Sequence, residues 1–311
     1  MNILLILTGL AFLYFGGEVL ITGSVRVSKH YRIPAFIIGA TVIGFGTSAP
    51  ELAVSILATL EEAPEMALGN VIGSNIANVA LVLGATAFLS PLSIRESLLK
   101  KEAPSLLIAT FLIMGMLWNM ELARWEGLIL ISLLTVYLWL AFSKREDSEI
   151  EIEEEVKYFA GKGPAFQFLL IIVGLILLVS GAKWLVEGSV NIARAFGISE
   201  WLIGISIVAV GTSLPEIVSS LMAASRGHGE MSIGNIFGSN IFNILMVLGV
   251  TSTIHPLEIE EPIHFDLWIS TGLTCLLLIL IRIEHDLSKR DGFILLSCYV
   301  TYMTLKSMGV I

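Results

Sequence analysis

The sequence predicts an all-α polytopic membrane protein with ten transmembrane helices arranged as two inverted five-helix repeats. Three observations carry that expectation. Of 311 residues, 55% are hydrophobic and 14% charged, with a mean hydropathy of +0.86, whereas soluble domains carry about 25% charged residues. Met66–Ile94 and Met231–Leu257 contain no Asp, Glu, Lys or Arg, and about 20 such residues suffice to cross a bilayer. Finally, residues 39–92 align without a gap on residues 204–257, an offset of 165, with 23 identities in 54 positions.

Charge-poor segments between charged or Pro/Gly-marked breaks give spans at 3–25, 33–60, 67–90, 103–120, 125–143, 165–193, 200–225, 231–253, 264–281 and 291–308. No Lys or Arg precedes Arg26; a cleaved leader needs a basic start, so the first apolar run reads as a membrane helix. With both termini outside the cell membrane, 14 of the 18 basic residues fall on inside segments, as the positive-inside rule requires. Residues 1–143 are then the first five-helix repeat, 144–163 a cytoplasmic linker and 164–311 the second, inverted repeat. The linker carries seven acids in the ten positions from Glu146 to Glu155. It reads as a solvated connector, too short for a folded domain and without EF-hand spacing.

Several functions are excluded. A formal charge of −9 with no basic stripe argues against nucleic acid. Cys275 and Cys298 lie in apolar segments and predict no disulfide framework. No GxxxxGK[ST] spacing is present, so neither ATP nor any other cofactor is expected. The five histidines fall at predicted helix ends or loops, which disfavours a transition-metal site and favours hard cations.

Five spans per copy is an odd number, so the halves must enter the membrane in opposite directions. Inverted repeats with interrupted helices at matching positions characterise secondary transporters, whose substrates bind between the repeats near mid-membrane. A duplicated bundle with no ion path is the plain alternative; the shared residues, mostly polar or Gly, argue against it.

In the second span Gly46-Thr47-Ser48-Ala49-Pro50-Glu51 interrupts the helix, and Gly211-Thr212-Ser213-Leu214-Pro215-Glu216 does so in the seventh. Proline lacks an N–H, so Pro50 and Pro215 free the carbonyls of Gly46 and Gly211. A free carbonyl at membrane depth is costly unless it lines a cavity or binds a ligand. Thr47, Glu51 and Ser55 recur at i+4 and share one helix face with Ser48. Glu51 and Glu216 are each the only ionised side chain of their span core. Brought together by pseudo-symmetry they would repel unless cations or protons neutralise them. One calcium ion matches their charge, and two bidentate glutamates with two carbonyls supply six oxygens, within calcium's ~6–8. In the third and eighth spans, Gly69-Asn70-Val71-Ile72-Gly73-Ser74-Asn75 and Gly234-Asn235-Ile236-Phe237-Gly238-Ser239-Asn240 space glycines for close packing. Ser74 with Asn78, and Ser239 with Asn243, project oxygens to one side. Glu18 and its repeat partner Lys183 read as helix-end or gating-face residues.

At these residues the chain resembles the cation/calcium exchanger superfamily, specifically the prokaryotic sodium/calcium exchangers, over nearly its whole length. The resemblance implies that Glu51 and Glu216 are the central calcium ligands, completed by the carbonyls of Thr47 and Thr212. It implies flanking sodium sites from Ser48, Ser74, Ser213 and Ser239 with the carbonyls of Gly44 and Ala209, while Asn78 and Asn243 face the same cavity. Some relatives have Asp where this chain has Asn243.

The expected function is therefore sodium/calcium antiport by alternating access, with the first and sixth helices sliding across the core. Calcium/proton antiport on the same glutamates is the alternative. An aspartyl-type hydrolase or a passive channel fits the oxygen-rich, inverted repeats less well.

Overall fold

The computed structural model describes residues 2–93, 95–143, 163–197, 209–259, 263–284 and 286–308, and helices dominate it. The linker and the first part of the expected seventh span lie outside the described residues. Helix α1 covers Asn2–Tyr31, six residues beyond the expected end. Arg26 and Lys29 do not stop it, because Val25, Val27 and Ser28 are buried and keep the last turns packed.

The second span is broken, as the motif requires. It comprises α2 (Ala35–Ile38), a π-helical turn at Gly39–Ile43, α3 (Gly44–Thr47) and α4 (Ala49–Leu60). The third runs as α5 (Pro64–Ala77), a π segment at Asn78–Leu83 and α6 (Gly84–Leu89). After strand β1 (Leu92–Ser93) come α7 (Glu96–Met116), strand β2 (Glu121–Leu122) and α8 (Arg124–Ser143). In the second half, α9 covers Pro164–Ala195, α10 Ala209–Thr212 and α11 Leu214–Ser225. Helix α12 (Gly229–Phe242) continues through a π segment (Asn243–Leu248) into α13 (Gly249–Ile254). Strand β3 (Leu257–Glu258), α14 (His264–Glu284), β4 (Asp286–Leu287) and α15 (Lys289–Ser307) complete the described chain. A capping box between Ser288 and Asp291 starts α15, two residues before the expected span.

Among the described residues eight helical stretches are long and apolar enough to cross a membrane. The expected seventh and tenth spans are not among them. Residues 198–208 are not described, and α15 is the least apolar of the long helices, with charged or polar residues in most turns.

Contacts recur at the 165-residue offset. β1 pairs antiparallel with β4, and β2 with β3; the second pair is the first with the halves exchanged. These two-residue ladders are the only strands among the described residues and were not expected from the sequence. Helices α1 and α9 pack through small residues: a Cβ added at Gly9 would lie 2.8 Å from the Gly181 carbonyl, and one added at Gly181 would lie 2.8 Å from that of Gly9. Gly181 is itself the repeat partner of Gly16. Likewise α6 packs on α15 and α13 on α8. The left-handed turns match too: Arg32 (φ 51°) and Glu62 (φ 59°) correspond to Gly197 (φ 74°) and Gly227 (φ 76°), so at each turn one copy uses glycine where the other bears the strain.

Candidate cation site

The Ser48 break turns Glu51 into the first turn of α4, and the Ser213 break does the same for Glu216 in α11. A helix N-terminus favours a negative group. Both carboxylates are deeply buried, at 2% and 1% exposure. No ion pair with a Lys or Arg reaches either one among the described residues.

Glu51 Oε2, both carboxylate oxygens of Glu216, Asn78 Oδ1 and Asn243 Oδ1 are buried and have no hydrogen-bond partner. Acceptors stranded this way cost free energy unless a donor or cation meets them. All five are oxygens, so the chemistry fits hard cations.

Hydrogen bonds fix the surroundings. Asn70 Nδ2 donates to Ser55 Oγ at 2.9 Å and to the Glu51 carbonyl at 3.2 Å. Its repeat partner Asn235 donates to Ser219 and Ser220, both at 3.0 Å. Asn78 Nδ2 donates to Asn240 Oδ1 at 3.1 Å, and Asn243 Nδ2 to Asn75 Oδ1 at 3.1 Å. Asn75 and Asn240 in turn each donate to the other's backbone carbonyl at 3.4 Å. Because the amide nitrogens of Asn78 and Asn243 are held in this ring, their oxygens are the atoms left over.

The other expected residues distribute unevenly. Thr47, Ser48, Ser74, Ser213 and Ser239 are buried. Thr47 and Ser239 hydroxyls lie 3.2 Å apart, and Ser48 Oγ donates to the Ser239 carbonyl at 3.4 Å. Gly44 packs where an added Cβ would come within 2.9 Å of the Ser239 nitrogen, and its carbonyl accepts the Ser48 N–H at 3.0 Å. Thr212, by contrast, is exposed. The Ser213 N–H reaches Val210 at 3.2 Å, three residues back rather than four, so the second break is wound tighter than the first. Ala209 opens α10. The copies thus share residues but not conformation here.

Sequence reasoning passed over Asn70, Asn75, Asn235 and Asn240, which orient the site. Their identity in both copies was the available signal. The π segments at Asn78–Leu83 and Asn243–Leu248 were also missed; each starts on the asparagine whose oxygen is left over, and such bulges are common at functional sites.

The model of the family described as sodium/calcium exchanger protein matches residues 1–143 and 166–308. The chain is 36% identical to CaxA of Alkalimonas amylolytica over 96% of this chain and 97% of that one. It is 31% identical to the sodium/calcium exchanger MaX1 of Methanosarcina acetivorans, covering 98% of both. Among solved structures it superposes on the sodium-calcium exchanger NCX_Mj, soaked with zero Na⁺ and Ca²⁺, with a TM-score of 0.84 and 33% identity over 97% of this chain and 98% of that one. The interrupted helices, the paired glutamates and these matches agree: this chain, a multi-pass membrane protein, belongs to the sodium/calcium exchanger family.

Proposed function

We propose that the protein exchanges sodium for calcium across the cell membrane by alternating access, with Glu51 and Glu216 as the calcium-binding pair. The observation that carries the reading is the cluster of five partnerless buried oxygens on α4, α11 and the two π segments. Two carboxylates in a water-poor site hold a charge of −2 that one calcium ion or a set of sodium ions offsets. The carbonyls of Thr47 and Thr212 complete the calcium shell in this reading. Ser48, Ser74, Ser213 and Ser239, with the Gly44 and Ala209 carbonyls, serve sodium, while Asn78 and Asn243 offer their free oxygens to either ion. Structures of NCX_Mj soaked with sodium and calcium, or with sodium and strontium, support the choice of ions.

The reading takes the chain as ten spans in two inverted halves, 1–143 and 164–311, joined by a cytoplasmic linker at 144–163, with both termini outside. The reciprocal β1–β4 and β2–β3 pairs and the mutual α1–α9 packing support it. Helices α1 and α9 form the moving pair. The test is radiolabelled calcium uptake into proteoliposomes. Uptake driven by an outward sodium gradient and not by a pH step is the expected result; uptake driven by the pH step alone would transfer the same site to proton exchange.

A further inference from the structure

Glu18, near the middle of α1, forms an ion pair with Arg226, which caps α11. Arg226 also donates to Thr22 Oγ1 at 3.4 Å. One residue before Glu18, the site of a Cβ on Gly17 lies 3.0 Å from Val218 and 3.4 Å from Met222, so this stretch of α1 is seated along α11. Applying the 165-residue offset converts Glu18 into Lys183 on α9, and Arg226 into Glu61, which caps α4. The signs are exchanged and the attraction survives. In this structure, however, Lys183 and Glu61 are both exposed, and neither is ion-paired among the described residues. Nor does α9 pack along α4 as α1 packs along α11.

The two positions lie at opposite ends of the core. Residues 90–93 meet the turn after α11, since Ser90 Oγ donates to the Ala224 carbonyl at 3.5 Å and Gly229 lies beside β1. Glu61 precedes α5, whose other end leads through α6 to β1.

We propose that Glu18–Arg226 and Lys183–Glu61 are mutually exclusive latches, one for each end of the sliding α1–α9 pair. The structure holds the first closed and the second open. The inference rests on the alternating-access reading above, but not on which ions are exchanged. Because α1 and α9 interlock through reciprocal glycines, they move together, so seating α9 on α4 unseats α1 from α11. Glu187, the counterpart of Thr22, sets a carboxylate beside Glu61 in the second closure. That makes the second latch the weaker and favours the state described here.

The test uses the full-length protein in proteoliposomes on a Cys275→Ser, Cys298→Ser background. A short bifunctional maleimide is applied to Glu18→Cys with Arg226→Cys, and separately to Glu61→Cys with Lys183→Cys. Both pairs are expected to cross-link, and each cross-link to stop calcium exchange. The variant Lys183→Gln should raise the yield of the 18–226 cross-link, shifting the ratio of states about fivefold, the upper range for a partly exposed pair. Exchanging the charges, Glu61→Lys with Lys183→Glu, should bring the yield back to the original value or below it, because a lysine at 61 also attracts Glu187. A 61–183 pair that never cross-links while 18–226 does, or an 18–226 yield indifferent to Lys183→Gln, would overturn the proposal. Cross-linking as expected without sodium-driven calcium uptake would leave the latches standing and remove the ion assignment.

Discussion

The helical stretch Gly229–Ile254 and helix α1 are both glycine-bearing and uncharged over most of their length, yet within an apolar 18-residue window of each, 94% of the first is buried against 28% of the second. In the first, Gly234 and Gly238 let the backbone of α2 and the following π turn approach: added Cβ atoms would lie 2.2 Å from the Phe36 carbonyl and 1.9 Å from that of Ala40. The same helix carries Asn235, Asn240 and Asn243, so close approach and hydrogen bonding hold one arrangement. In α1, Gly9, Gly16 and Gly23 meet α9 and Gly17 meets Val218 and Met222 of α11, all through van der Waals contact, and the polar ties to α11 are the Glu18–Arg226 ion pair and the Arg226–Thr22 hydrogen bond. In the proposed exchange cycle, directional bonds would fix the region that places oxygens around an ion, while the largely apolar contacts of α1 with the core would suit a pair that slides.

This contrast can be broken from its rigid side first. Gly238→Leu forces a side chain into the Ala40 backbone, which cannot yield as a side chain would. It should cost more than about 3 kcal/mol and remove folded protein from detergent extracts, read as loss of a monodisperse chromatographic peak. A normal peak and normal transport would show that the close approach of α12 to the Gly39–Ile43 turn is dispensable.

Glu51→Gln and Glu216→Gln keep size and packing while removing half of the site's charge. Each should abolish sodium-driven calcium uptake and leave the chromatographic peak intact; wild-type rates in either would remove that residue from the site. Asn240→Leu is milder. It takes away the acceptor that holds the Asn78 amide nitrogen, leaving a buried donor worth about 1–3 kcal/mol, and the amide is then free to turn its nitrogen toward the cation. The concentration of calcium giving half-maximal uptake should rise about tenfold, with the maximal rate less affected. The smallest effect is expected from deleting Glu146–Glu155, which lies outside both repeats. Exchange should continue at near wild-type rate, and a large loss with normal membrane insertion would make the acidic run regulatory.

The rigid half of the comparison was largely legible in the sequence, because it is made of identities. The motifs around Pro50 and Pro215 announced the broken helices, and Gly234 and Gly238 the close packing. Asn75 and Asn240 were visible but not interpretable: each acts across the two-fold on the other copy's asparagine, a relation that no local spacing encodes. The π segments were hidden because one extra residue per turn barely disturbs an apolar pattern over six positions. The ends of α1 and α7 were misjudged where charge was taken as a stop. Arg26 and Lys29 sit within a helix whose other face stays buried, and Glu96 and Lys100 stabilise the first turns of α7 through a 2.8 Å ion pair. Least legible was the difference between Thr47 and Thr212: equal sequence motifs say nothing about which half is seated and which is open.

The central claim is that the two halves contribute one carboxylate each to a single calcium site. Equilibrium binding of radiolabelled calcium to the purified protein tests it directly. The account predicts one sodium-displaceable calcium per chain in the wild type and none in either Glu51→Gln or Glu216→Gln. Two calcium ions per chain, or one retained after either single substitution, would contradict it.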